Sequence, residues 1–118
     1  MASSSEEGRS AGLGWLDARV VRFRPEDQER HKVPYIGWNS VNKKLDSKLL
    51  ADLNGASEFY FLHSYHLEMA DKNAVAAETT YETAFPSVIE KENLFGVQFH
   101  PERSHESGRR LLMNFLNI

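Results

Sequence analysis

The alternation of hydrophobic and polar positions predicts that most of this chain is built from short strands. The stretch 18–24 alternates between apolar and charged or small side chains, which is typical of a half-exposed strand. The stretch 33–41 is apolar but interrupted by a proline and a glycine, so it suits an edge strand or a shaped loop. The stretch 58–65 is apolar on both faces and predicts a central strand. Further strands are predicted over 74–81, 85–90 and 94–99.

Helical periodicity is confined to the end of the chain. Ser104 is a candidate N-cap, and Glu106 lies in the first turn, where a negative charge suits the helix dipole. Apolar side chains then recur at helical spacing at Leu111, Leu112 and Phe115. A short helical turn is also predicted over 47–53, closed by Asn54 and Gly55. Several strands and one closing helix indicate an α/β or α+β fold.

Composition excludes several classes of function. The chain has 118 residues, room for one small domain at most. Its 14 basic and 17 acidic residues give a net charge of −3 without a basic stripe, so nucleic-acid binding is not expected. No apolar run is long enough to span a membrane. Residues 1–10 are a polar segment, expected to be loop or frayed terminus, without signal-peptide features, so a cytoplasmic protein is predicted.

The segment GVQFHPERS, residues 96–104, carries the clearest chemical signal. A buried strand ends at His100, Pro101 follows, and Glu102 stands two residues beyond the histidine. In an extended segment, side chains two residues apart point to the same side, so His100 and Glu102 are expected to meet. A carboxylate that holds an imidazole in one tautomer is two-thirds of a catalytic triad. The missing nucleophile would normally be a cysteine or serine, yet the chain contains no cysteine.

Metal binding is not expected. His63 and His66 are three residues apart, and on one continuous strand they would point to opposite faces. His100, Glu102 and His105 could in principle bind a metal, but the triad interpretation accounts better for the first two. We therefore predict neither a metal nor another cofactor.

Three motifs give the sequence a family resemblance. GVQFHPERS followed by SGRRLLMNFL is similar to the C-terminal end of class I glutamine amidotransferase domains. VPYIGWNSV and EFYFLHSYH resemble the PHMGWN and FYFVHSY segments of the glutaminase subunits of imidazole glycerol phosphate synthase. SSEEG followed by GLGWLDARVVRF also corresponds to these subunits, in order and spacing. The similarity extends from about Ser4 to Phe115.

The resemblance implies an α/β fold in which residues 1–118 form the C-terminal half of a flavodoxin-like amidotransferase domain, with several strands and a C-terminal helix. In the family, the nucleophile elbow is a Gly-x-Cys-x-Gly turn that precedes the SEEG segment. We therefore expect the chain to lack the N-terminal half and to be inactive alone. Two departures stand out: Glu82 replaces a usual glycine, and His66 stands where tyrosine is common.

The resemblance also implies roles for five residues in glutamine hydrolysis. His100 would be the general base that takes the proton of the cysteine and later protonates the leaving ammonia. Glu102 would orient His100 and stabilise its cation. Ser64 and Tyr65 would hold the amino-acid part of glutamine, and Glu7 would pair with the α-ammonium group of the substrate.

The implied partner is the cyclase subunit of imidazole glycerol phosphate synthase, which would use the ammonia in histidine biosynthesis within a heterodimer. The residues that would face it are Trp38, Asn39, Tyr60 and Arg103. Two alternatives remain open. The chain could serve a sugar-modifying synthase in surface-polysaccharide synthesis, or it could be a non-catalytic half domain that only binds a partner.

Overall fold

The computed structural model of the protein describes residues 4–5, 18–27, 29–44, 46–53, 57–70 and 72–118. These residues form nine strands, two 3₁₀ turns and one α-helix. The strands are β1 (Ser4–Ser5), β2 (Ala18–Arg22), β3 (Tyr35–Ser40), β4 (Asn42–Lys43), β5 (Glu58–His63), β6 (Tyr65–Met69), β7 (Val75–Tyr81), β8 (Thr83–Lys91) and β9 (Leu94–Val97). The 3₁₀ turns are Lys72–Ala74 and Pro101–Arg103, and the helix α1 is His105–Leu116. No helix in these ranges is long and apolar enough to cross a membrane.

The strands pair in three groups, in the orders β1-β2-β6, β3-β5 and β4-β7-β8-β9. The two-residue strand β1 runs parallel to β2, whereas the other recorded pairings are antiparallel. The loop that delivers His100 follows β9, and α1 follows that loop.

The main core lies between β5, β8 and the segments that flank them. Phe59 and Phe61 on β5 are fully buried, as is Val88 on β8. Phe99 stacks on Phe59 with 4.1 Å between ring centroids, and Leu111 adds the buried side chain of α1. Burial of each such side chain contributes roughly 2 kcal/mol to folding. The residue just before His100 is thus anchored in the core, which fixes the starting point of the candidate catalytic loop.

Several predicted elements are confirmed, but the central strand over 58–65 is wrong. The chain bends at Ser64, so that β5 pairs with β3 while β6 pairs with β2. The backbone N–H of Phe23 donates to the carbonyl oxygen of Ser64 at 2.9 Å and fixes the bend. One apolar run therefore supplies strands to two sheets.

Side chains explain two further differences. The helical turn predicted over 47–53 does not form, because Ser47 Oγ donates to the Glu90 carboxylate at 2.7 Å and accepts the N–H of Leu50 at 3.1 Å. These bonds hold the segment as turns, while Asn54 and Gly55 lie outside the described residues. The expected loop at 1–10 is wrong at Ser4–Ser5, which pair with β2; its other residues are outside the described ranges.

Candidate active site

His100 and Glu102 form the side-chain contact that the sequence predicts. His100 Nδ1 lies 2.8 Å from Glu102 Oε1. His100 is extended, with φ −102° and ψ 96°, but Pro101–Arg103 form a 3₁₀ turn instead of continuing the strand. The contact is confirmed, whereas the extended geometry expected to produce it is wrong beyond His100. Because Nδ1 faces the carboxylate, Nε2 is the nitrogen available to a reacting group.

The pair lies at the protein surface, where a substrate could reach it. The side chain of His100 is 39% exposed and that of Glu102 is 61% exposed. The backbone N–H of Glu102 lowers the pKa of its own carboxyl group, and His100 and Arg103 lower this pKa further. Glu102 is therefore held as a carboxylate, the form that can orient an imidazole and stabilise its cation.

Ser104 fastens this loop to strand β5. Its Oγ donates to the carbonyl oxygen of His100 at 2.7 Å and accepts the N–H of Tyr60 at 2.9 Å. The N–H of His100 in turn donates to the carbonyl oxygen of Tyr60 at 2.9 Å. The helix does begin after Ser104, but the Ser104 hydroxyl makes no capping hydrogen bond to it, so the predicted capping role is wrong.

Gly108 lets α1 pack directly against the same loop, a role that sequence reasoning missed. A Cβ atom at this position would lie 1.8 Å from the carbonyl oxygen of Pro101 and 3.0 Å from Ser104 Cβ. No side chain fits at that distance. A glycine early in an otherwise helix-favouring segment was the available signal.

The candidate glutamine-binding residues lie at the corner between β5 and β6. The carbonyl oxygen of Ser64 is taken by Phe23, and that of Tyr65 lies 2.8 Å from His63 Nδ1. A carbonyl only accepts, so Nδ1 of His63 is its protonated nitrogen. Burial lowers the pKa of His63 to about 4, with smaller contributions from His66 and His100. His63 is thus a neutral support of this corner, within electrostatic reach of His100.

His63 and His66 do not point to opposite faces. Both imidazoles contact Phe23, at 5.1 and 4.7 Å between ring centroids, and both contact Phe85. The expectation was wrong because the strand breaks at Ser64. Even so, the described ranges contain no group of three His, Cys, Asp or Glu side chains arranged to hold a metal ion.

Three of the four candidate partner-facing residues meet on one surface. Trp38 and Tyr60 are cross-strand neighbours with rings 5.9 Å apart, and the Arg103 guanidinium lies 6.0 Å from the Tyr60 ring. His105, which sequence reasoning did not place here, stacks on Trp38 at 5.2 Å. With Trp38 44% exposed, we call Trp38, Tyr60, Arg103 and His105 the aromatic–cationic face.

Asn39 is separated from this face. Neighbouring residues on a strand point to opposite sides, and the Asn39 side-chain amide donates to the carbonyl oxygen of Thr80 at 2.9 Å. It therefore links β3 to β7. Glu7, the remaining candidate ligand of the substrate, lies outside the described residues.

Comparison with known proteins places these features in a family. The sequence profile of the family "Glutamine amidotransferase class-I" matches residues 10–118. Imidazole glycerol phosphate synthase subunit HisH 2 of Methanococcus maripaludis is 43% identical over 116 residues, covering 98% of this chain and 56% of that protein. Subunit HisH of Leptospira interrogans is 44% identical over 119 aligned positions, covering all of this chain and 58% of that protein. The chain thus spans somewhat more than half the length of these relatives.

A solved structure supports the same fold. The crystal structure of a GMP synthase subunit from Thermoplasma acidophilum superposes with a TM-score of 0.66 and 20% sequence identity. The match covers 86% of this chain and 48% of that one. The amidotransferase fold expected from the sequence is confirmed, with the antiparallel pairings and closing helix described above. The chain belongs to the class-I glutamine amidotransferase family.

Proposed function

We propose that this chain supplies the acid–base part of a glutaminase active site that serves imidazole glycerol phosphate synthase in histidine biosynthesis. The observation that carries the proposal is the 2.8 Å contact between His100 Nδ1 and Glu102 Oε1, which leaves Nε2 free for proton transfer. The high identity to proteins named HisH over nearly the whole chain supports this choice of synthase. Because the 118 residues include no cysteine, the nucleophile has to come from outside them.

The proposed reaction is hydrolysis of the glutamine side-chain amide. His100 Nε2 takes the proton of a cysteine thiol, and the sulfur attacks the amide carbon. The tetrahedral intermediate collapses to a γ-glutamyl thioester as ammonia leaves with the proton held by His100. Water then hydrolyses the thioester, releasing glutamate and restoring the thiol. Glu102 stabilises the imidazolium in both half-reactions.

The substrate would be held from the corner at Ser64 and Tyr65. The carbonyl oxygens of both residues are occupied by protein groups, so each peptide has a fixed orientation. Such fixed polar groups can bind the amino-acid end of glutamine without reorganising. Glu7 is proposed to pair with the α-ammonium group.

The aromatic–cationic face is the proposed contact with the cyclase subunit. It combines an exposed tryptophan, a tyrosine and an arginine, the residue types enriched among energetically important interface positions. It also borders the His100 loop, because Arg103 directly follows Glu102. Ammonia released at His100 would thus emerge beside the partner. Asn39 contributes indirectly by holding β3.

The direct test is a chimera in which residues 1–118 replace the matching segment of the Leptospira interrogans relative. We expect the chimera, mixed with the cyclase of that organism, to release glutamate from glutamine and to support cyclisation. Trp38→Ala should weaken cyclase binding by tenfold or more, whereas Asn117→Ala, at the far end of α1, should not. A purified, folded chimera with glutamate release no faster than its His100→Asn variant would contradict the proposal.

A non-catalytic half domain that only binds a partner is the second candidate, favoured by the absence of cysteine from the chain. The chimera separates the two functions. Cyclase binding that depends on Trp38, without any glutamate release that depends on His100, would support the binding module.

A further inference from the structure

We propose that Ser104 is a positioning residue that connects the aromatic–cationic face to His100, so that partner contact at this face changes the rate of glutamine hydrolysis. The inference rests on the proposed function. It concerns how the partner signal reaches the catalytic histidine, which neither the catalytic pair nor the partner surface explains by itself.

Three hydrogen bonds close a ring between β5 and the catalytic loop. The N–H of His100 donates to the carbonyl oxygen of Tyr60 at 2.9 Å, and the N–H of Tyr60 donates to Ser104 Oγ at 2.9 Å. Ser104 Oγ completes the ring by donating to the carbonyl oxygen of His100 at 2.7 Å. Both backbone groups of Tyr60 are therefore tied to the backbone of His100, one directly and one through a hydroxyl group.

The ring is rigid because its bridging residue is enclosed. Ser104 is 1% exposed, so water cannot readily replace its hydroxyl. Gly108 packs against the loop from the other side, where a Cβ would lie 1.8 Å from the carbonyl oxygen of Pro101. The loop cannot move toward α1, and it can move away only by breaking buried hydrogen bonds.

The same ring is continuous with the proposed partner surface. The Tyr60 side chain contacts both Trp38 and Arg103, while the Tyr60 backbone belongs to the ring. Arg103 also closes the 3₁₀ turn, because its N–H donates to the carbonyl oxygen of His100 at 3.1 Å. A partner that repositions Tyr60 or Arg103 thus acts on the residue that holds His100 in register with Glu102.

Loss of the Ser104 hydroxyl should loosen this connection. In Ser104→Ala the buried N–H of Tyr60 has no acceptor at this position, and the carbonyl oxygen of His100 loses one of its donors. Nothing in the change touches the Ser64–Tyr65 corner. We therefore expect an effect on kcat and on the response to the partner, with little change in KM for glutamine.

The experiment uses the chimera and measures kcat and KM for glutamine with and without the cyclase. For the unsubstituted chimera we expect different rates in the two conditions. Ser104→Ala should lower kcat about tenfold and reduce the difference between the two conditions, because a small misplacement of a catalytic group is costly. Ser107→Ala on the first turn of α1 is the matched control and should behave like the unsubstituted chimera. Carboxyl NMR of Glu102 adds a second readout: its pKa should rise in Ser104→Ala as the contact with His100 weakens.

Two failures can be told apart. An unsubstituted chimera that releases no glutamate contradicts the proposed function. An active chimera whose Ser104→Ala variant keeps its kcat, its response to the cyclase and the pKa of Glu102 overturns the role of Ser104 alone. If Ser104→Ala does not fold, Ser104→Cys carries the test, because a thiol has similar size but is a weak hydrogen-bonding group. Unchanged behaviour of that variant would also overturn the inference.

Discussion

His63 Nδ1 donates a hydrogen bond to the carbonyl oxygen of Tyr65, while His63 Nε2 is buried without a hydrogen-bond partner among the described residues. The imidazole lies between the rings of Phe23, Phe61 and other aromatic side chains. A proton on Nε2 would place a charge in these surroundings, which is why burial lowers the pKa of His63 to about 4. The corner that carries Ser64 and Tyr65 is thus supported by a histidine that must stay neutral.

This support should weaken in acid. The folded pKa of about 4 lies below the value of 6.5 for an unperturbed histidine, so the unfolded state binds more protons between these values. The free energy of unfolding should be fully retained above pH 6.5 and decrease as the pH falls toward 4. After a discount for partial exposure, His63 should account for roughly 2 kcal/mol of that decrease. Urea unfolding of the chimera from pH 4.5 to 7 measures it.

His63→Leu removes the group that titrates, so its unfolding free energy should depend less on pH over this interval. His105→Gln is the matched control, because His105 is an exposed imidazole and its removal should leave the dependence in place. An unchanged pH dependence in His63→Leu would show that another group causes the acid destabilisation.

Glu102 should matter for catalysis in the chimera, but less than His100. Glu102→Gln removes the charge that stabilises the His100 cation, and we expect kcat to fall about tenfold because the pair is partly exposed to solvent. His100→Asn should lower kcat by a factor of about 100 or more. Glu106→Gln is the matched control: Glu106 binds Arg109 on α1 at 2.9 Å. Equal losses in Glu102→Gln and Glu106→Gln would point to a general charge effect instead of a specific contact.

The sequence predicted the chemical pair but not what positions it. His100 and Glu102 are two residues apart, so local spacing was enough to bring them together. Ser104 and Tyr60 are 44 residues apart, and their hydrogen bond depends on how β5 packs beside the loop. The break at Ser64 was missed for a similar reason: an apolar run indicates burial but does not reveal that the chain changes sheets. Such features depend on tertiary contacts, which periodicity does not report.

Glu82 shows how a departure from a family pattern can be accommodated. It has a φ of 66°, in the left-handed region that favours glycine, the residue usual at this position in similar sequences. Its carboxylate accepts the N–H groups of Glu26 at 2.8 Å and Asp27 at 3.2 Å, and lies 3.1 Å from His31 Nδ1. The backbone N–H of Glu26 is the main cause that lowers the pKa of Glu82. The carboxylate thereby fastens the loop between β2 and β3 to the β7–β8 turn.

Two substitutions separate backbone strain from these contacts. Glu82→Ala loses the contacts and keeps a side chain in the left-handed region, so its free energy of unfolding should fall further than that of Glu82→Gly. In both variants the amides of Glu26 and Asp27 should exchange with solvent faster, as hydrogen-exchange mass spectrometry or NMR of the chimera would show. The unsubstituted protein should lose this clasp as the pH falls through the lowered pKa of Glu82. Unaltered amide exchange in both variants would rule out the clasp.

The outer surface of α1 should make the 118-residue chain self-associate. Its exposed apolar side chains are Leu112, Met113, Phe115, Leu116 and the adjoining Ile118. Leu116 is 74% exposed, and contiguous apolar patches of this kind favour association. Sedimentation velocity over a range of concentrations should show species larger than a monomer. Leu116→Lys should shift the distribution toward monomer, whereas Asn117→Lys, which adds the same charge at a neighbouring polar position, should shift it less. A monomer at all concentrations, with a sharp and reversible two-state melt, would contradict the prediction.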